Sequence, residues 1–245
     1  MLAGVAIALV ALIAGLAATG IRISYFLQPT GVLIVLGGTL GVTFVTTPWR
    51  ALRNTARAVR NLWWEAPVNR LALIDEMTAL TRPVRTRGIM AVEPMIASAS
   101  HAFLRDALAL ALDIPHREQL KAALESQLRL RERQGETDAK TLEVAGGFAP
   151  TLGVLGTVVG LIQVLGQFSS VAGVAAGVGT AFVSTIYGLG LANIVLLPAA
   201  HRIRARVAEA FEIDEMIMEG VLSVLDGLHP SLIRERLNAF VEQPQ

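Results

Sequence analysis

Two hydroxyls, Thr157 and Thr185, are the polar side chains best placed to do chemistry in this 245-residue chain. Each stands inside a long apolar stretch. At about 1.5 Å per residue, each lies roughly 15–20 Å above the cytoplasmic end of its apolar stretch, close to the middle of a bilayer. Two readings stand for them. Each hydroxyl bonds a carbonyl one turn back, or both face a polar path and supply oxygens to a hard cation or ordered water. Two hydroxyls cannot bind and release a proton on their own. If ions pass here, the carboxylate has to come from another polypeptide.

Around the threonines stand glycines and prolines. Gly153, Gly156 and Gly160 recur at three and four residues, lining one helix face that permits close backbone approach. Gly177, Ala181, Ser184 and Gly188 do the same in a later stretch. The face they pack against is open from spacing alone: the same chain, or a neighbouring subunit in a ring. Pro150 and Pro198 bracket this region. Each reads as a helix-end signal, strongest at Pro198, or as a kink that couples the membrane part to the cytoplasmic helices.

The elements that hold these residues follow from where charge is absent. All twenty Asp and Glu lie in 65–143 or 209–242, and the charge-free runs are Met1–Ile21, Ile23–Trp49 and Val144–Ala200. A span needs about 20 apolar residues, so the third run accommodates two. This predicts an all-α polytopic membrane protein with four spans: Met1 to about Ala18, 30–47, 147–168 and 175–198. The last two form an antiparallel hairpin across Gly166–Gly173. The domain division is 1–49 for spans one and two, 50–146 for a helical cytoplasmic domain, 147–200 for the hairpin and 201–245 for carboxy-terminal helices. Arg50, Arg53, Arg57 and Arg60 follow span two, and His201, Arg202, Arg204 and Arg206 follow span four. The positive-inside rule then puts both termini and the 50–145 segment in the cytoplasm. Only Arg22 marks the link after span one.

The 50–145 segment reads as amphipathic helices broken at Ala66-Pro67, Arg82-Pro83, Glu93-Pro94 and Ile114-Pro115. Leu104, Ala107, Leu108, Ala111 and Leu112 form one apolar stripe. The tail reads as a helix from about Ile203 to Leu225, a break at Gly227–Pro230, and a short helix near Ser231–Val241. A soluble globule, a disulfide scaffold and a nucleic-acid binder are excluded, and cysteine is absent. The four histidines (His101, His116, His201, His229) are scattered, so neither an enzyme, a metal site nor a cofactor is expected. A self-contained transporter would carry an intramembrane ionisable residue, and this chain has none.

The chain resembles the MotA/PomA stator subunits of the bacterial flagellar motor over essentially its whole length. The matching pieces, in order, begin with Leu33-Ile34-Val35-Leu36-Gly37-Gly38-Thr39-Leu40-Gly41 and Arg85-Thr86-Arg87-Gly88-Ile89-Met90-Ala91-Val92-Glu93. They continue with Ala149–Ile162, Thr180–Gly188 running on to Asn193 and Pro198, and Met216–Leu225 followed by Pro230. The resemblance implies a homopentameric ring around two copies of a MotB/PomB partner, whose membrane helix supplies the missing aspartate. It further implies that Thr157 and Thr185 flank that aspartate, and that Pro150 and Pro198 couple its ion loading to ring movement. Arg85 and Glu93 would engage the rotor protein FliG, with Arg87 offering the same charge two residues on. The transported ion would be H+ or Na+, the location the bacterial inner membrane, and the work torque on the rotor. The wider superfamily holds TolQ and ExbB, which typically have three spans with the amino terminus outside. The alternative is therefore a TolQ/ExbB-like subunit energising an outer-membrane or other non-flagellar process.

Overall fold

The computed structural model describes residues 2–18, 20, 23–62 and 68–242. Arg22, the Ala66-Pro67 break and residues 243–245 lie outside them. Every regular element among the described residues is a helix, as the all-α reading expects. The main ones are α1 (Leu2–Ala18), α2 (Pro29–Thr46), α3 (Trp49–Asn61), α4 (Arg70–Arg87), α5 (Ala102–Asp113), α6 (Arg117–Gly166), α7 (Val171–Leu225) and α8 (Pro230–Glu242). By length and composition, α2, α6 and α7 can each cross a membrane. Helix α1 has 17 residues with no charge among them.

One of the expected breaks is not a break. Pro83 lies inside α4, where Thr86 donates its hydroxyl to the carbonyls of Arg82 and Pro83 (3.0 and 3.2 Å). Pro198 does not end a helix either, because α7 runs through it to Leu225. Proline removes one backbone donor and crowds the preceding turn. Here a π-helical stretch, Leu191–Leu196, widens the turn just before it, a common companion of functional helices. Pro150 likewise sits within the continuous α6. Ile114-Pro115 does separate α5 from α6, and Gly227 (φ +68°) makes the turn before α8.

The chain forms two compact units, Met1–Trp64 with Gly135–Arg204, and Glu65–Gln134 with Ala205–Gln245. Division by contact therefore cuts within α6 and α7, whereas division by hydropathy cuts where charge resumes.

The second unit has a core of large side chains. Ile74, Met77, Phe103, Leu104, Leu120, Leu124, Ile217, Leu222 and Leu237 are fully buried. Each contributes about 1.5–3 kcal/mol by leaving water. The predicted stripe on α5 is here: Leu104, Ala107, Leu108 and Ala111 are buried, with Leu112 packed at the edge. The tail motif supplies Met216, Ile217, Val221 and Leu222 to the same core. The helix starts follow local chemistry, since Asn69 accepts from the Ala72 amide (3.1 Å) and His101 Nδ1 from the Phe103 amide (3.3 Å).

Candidate ion-pathway site

The hairpin starts from a cap. Helix α6 ends at Gly166, and Ser170 opens α7 by accepting the Gly173 amide (3.2 Å). The two helices then meet backbone to backbone. A Cβ on Gly160 would lie 2.5 Å from the Ala181 nitrogen and 2.6 Å from the Gly177 carbonyl. One on Gly188 would lie 2.6 Å from the Ala149 carbonyl and 3.2 Å from Pro150 Cα. Small residues let the backbones touch where lipid offers no hydrophobic drive for helices to associate.

Gly153, Gly156 and Gly160, whose partner the spacing leaves open between the same chain and a neighbouring subunit, lie against the same chain. A Cβ on Gly153 would meet the Ser184 carbonyl at 3.0 Å and Thr185 Cα at 3.3 Å, and one on Gly156 would meet Ser184 Oγ at 2.6 Å. All three glycines face the chain's own α7. Spacing defines a face but carries no information about which partner covers it.

Ser184 is the hub. Fully buried, it donates to the Thr180 carbonyl (2.7 Å) and also abuts α2, where a Cβ on Gly31 would lie 2.8 Å from its hydroxyl. The start of α2 is fastened to α7 twice. The Tyr187 hydroxyl donates to the Phe26 carbonyl, and the Thr180 hydroxyl lies 3.3 Å from Gln28 Oε1. The sequence reading missed Tyr187 and Gln28. The available signal was a phenol inside an apolar stretch, which needs a partner.

Thr157 and Thr185 are half-buried. The Thr157 hydroxyl donates to the Val154 carbonyl (2.6 Å), as the first reading has it. That bond leaves its two lone pairs free, so a hydroxyl tied to the backbone remains an oxygen donor toward a cation or an acceptor for water. At helical spacing Thr157 shares a stripe with Val154, Leu161 and Leu165. Thr185 shares one with Val178, Phe182 and Leu189. All six companions are exposed, Leu165 and Phe182 by 75% and 71%. Each threonine is thus the lone hydroxyl in an open apolar stripe. Pro150 lies against Gly188, one turn beyond Thr185.

In the second unit, Arg85 and Arg87 end α4, Gly88 turns the chain with φ +77°, and Glu93 opens the next short helix. All three charged residues are exposed, while Val84 and Val92, just before Arg85 and Glu93, are buried. The charges are held on a short, anchored corner. A second group, not legible from spacing, surrounds Asp214. Arg131 pairs with Asp106 (2.7 Å) and Asp214 (3.4 Å) and lies 4.9 Å over the Phe103 ring. His101 Nδ1 is 3.7 Å from Asp214. Burial pushes the Asp214 carboxyl up to about 6, against the opposing pull of Arg131. Burial, then Arg131 and Arg105, lowers the His101 pKa. Among the described residues no group of three or more His, Cys, Asp or Glu could hold a metal ion.

Comparison with known proteins matches residues 95–239 to the MotA/TolQ/ExbB proton channel family, and residues 2–88 to the Motility protein A N-terminal model. Motility protein A of Bacillus subtilis (strain 168) is 29% identical over 244 residues, covering 98% of this chain and 89% of that one. Chemotaxis protein PomA of Vibrio alginolyticus is 27% identical over 227 residues, covering 91% and 88%. Among solved structures, the flagellar MotAB stator complex from Bacillus subtilis superposes with a TM-score of 0.88 at 28% identity, covering 96% and 93%.

Proposed function

The chain belongs to the MotA/TolQ/ExbB proton channel family, and from that premise we infer that it is a stator subunit of the bacterial flagellar motor. The near full-length likeness to motility proteins favours this over a TolQ/ExbB-like role. Its partner is a MotB-type chain, as in the stator complex it resembles. Five copies surround two of the partner in the inner membrane, with four spans per copy, both termini cytoplasmic, and α4 and α5 on the cytoplasmic side.

One observation carries the mechanism. The spans hold no acidic or basic side chain, yet α6 and α7 each present a single hydroxyl in an exposed apolar stripe. The partner's membrane aspartate docks between Thr157 and Thr185. Their lone pairs solvate the incoming H+ or Na+ while the carboxylate binds it. Neutralising that carboxylate removes the cost of a charge facing apolar surface, so the hairpin can slide past. Pro150 packs on Gly188 near Thr185, and Pro198 follows the π-helical stretch of α7. Through these two points a shift at the ion site passes along α6 and α7. Arg85 and Glu93, with Arg87 beside them, press on the rotor protein FliG. Each ion contributes about 2.3 kcal/mol per 100 mV, so each drives a small step.

Reconstitution in liposomes tests this reading. The chain alone should carry no ion-selective current; with its partner it should, and Thr185→Val should cut the flux at least about tenfold. A current from the chain by itself would overturn the borrowed-carboxylate mechanism. Swimming in sodium-free medium distinguishes H+ from Na+.

A further inference from the structure

Helix α3 (Trp49–Asn61) carries a feature that ion conduction does not use. Arg50, Arg53, Arg57 and Arg60 are all exposed, and none has an ion-pair partner among the described residues. At about 100° per residue the four fall within roughly 80° of the helix surface, a continuous cationic stripe. The opposite side of the same helix is not idle. Leu52, Thr55, Ala56 and Val59 form one wall of a groove of about 490 Å³. Leu36 and Leu40 of α2, Leu142 of α6, and Leu191 and Leu196 of α7 supply the other walls. The Thr55 hydroxyl donates to Asp138 Oδ1 (3.3 Å) and fixes α3 on α6. Arg60 lies only about 40° round the helix from Ala56 at the groove's edge.

The position of the groove restricts its occupant. It starts beside Leu36 within the apolar α2 and extends past the Pro48 bend to Val59, so it spans the junction between hydrocarbon and headgroups. Trp49 marks that junction. It is 68% exposed and stacks on Phe44 with ring centroids 5.8 Å apart, the amphipathic ring placement typical of a membrane interface. Soluble anions match the arginines and not the groove. Neutral lipids match the groove and not the arginines.

We propose that α3 and this groove form a binding site for an anionic phospholipid. One acyl chain lies in the groove, and the headgroup phosphate is held by the arginine stripe. Guanidinium forks suit phosphate oxygens, and the apolar stems of the arginines lie along the lipid while their heads reach the phosphate layer. The lipid seals the flank of α2 against α6 and α7. The site goes beyond the motor reading and stands without it.

The test uses the full chain, purified with its partner in mild detergent, stripped of lipid, and given phosphatidylglycerol or phosphatidylcholine of equal chain length. Native mass spectrometry reads the bound lipid. Phosphatidylglycerol should be retained in preference, and its retention should weaken as salt rises. Arg53→Gln, Arg57→Gln and Arg60→Gln should each lower retention about fivefold. Ala56→Trp, which fills the groove from its edge, should remove the lipid with the arginines intact. Helix content and oligomer size, compared with the parent, show that the variants fold. Equal retention of both lipids, or no effect of the arginine changes, would overturn the proposal. So would glycerol phosphate competing as well as the diacyl lipid, which would make this a free-phosphate site. The chain has no cysteine, so Ala56→Cys adds a unique thiol. A disulfide between copies on oxidation would mean that a second copy fills the groove, and the lipid assignment would fall.

Discussion

The two compact units solve the packing problem in opposite ways. The second unit buries Phe103, Met77, Leu104 and Ile217 in a core driven by removal of apolar surface from water. The first unit has the apolar spans but exposes much of their surface. Its helices meet through glycine against backbone, with Ser184 as hub and Tyr187 and Thr180 as polar fasteners. The difference follows from the surroundings. Lipid is as apolar as leucine, so close approach and hydrogen bonds replace hydrophobic burial as the glue. Charge is partitioned the same way. The second unit tolerates Arg131 between Asp106 and Asp214, while the spans carry no acid.

This contrast can be broken experimentally, and the largest effect is expected in the second unit. Phe103→Ala should cost about 3–5 kcal/mol through lost burial and an unfilled cavity, together with the Arg131 contact over its ring. Denaturant titration of the detergent-solubilised chain measures it. A loss under about 1 kcal/mol would deny the second unit a burial-driven core.

Next comes pH. The Asp214 carboxyl ordinarily titrates near 3.8 and here near 6, so between those values the folded state holds a proton that the unfolded state has released. Its contribution to stability is present below about pH 4 and lost as pH rises toward 6, by up to about 3 kcal/mol. Subtracting the stability profile of Asp214→Asn from that of the parent isolates this fall from the other carboxylates. A flat difference between pH 4 and 7 would remove the buried-acid character of the second unit.

In the first unit, Gly160→Ala should cost about 1–3 kcal/mol, because the added methyl meets backbone that cannot give. Gly147→Ala on the same helix has open space around it and should be neutral or gain up to about 1 kcal/mol. Thermal inactivation of the two variants compares them; equal behaviour would refute the backbone-contact account of the hairpin. The smallest effect belongs to the turn. Ser170→Ala should cost about 1 kcal/mol by leaving the Gly173 amide uncapped, seen as faster hydrogen exchange over the first turn of α7.

Several features were legible in the residues alone. The charge-free runs give the apolar helices, and the α5 stripe from Leu104 to Ala111 is where its spacing put it. Arg85 and Glu93 entered through the family resemblance, and the positive-φ turn at Gly88 between them comes from the structure. Other expectations failed for a definite reason. Proline at 83 signals a lost donor and a crowded preceding turn, but packing around the helix decides whether it stops there, and α4 runs on through Pro83 to Arg87. The cluster around Asp214 draws on positions 101, 106, 131 and 214, whose separations carry no period.

Sequence by itself determined which stretches prefer hydrocarbon and that they lack acidic and basic side chains, because hydropathy and charge add along the chain residue by residue. Only the tertiary structure decided that Gly153, Gly156 and Gly160 serve α7 of their own chain, that Ser184 joins three helices, and that α3 closes a groove beneath its arginines. Those facts depend on the rotation and separation of helices far apart in sequence. A gap of a single ångström there decides whether a Cβ fits.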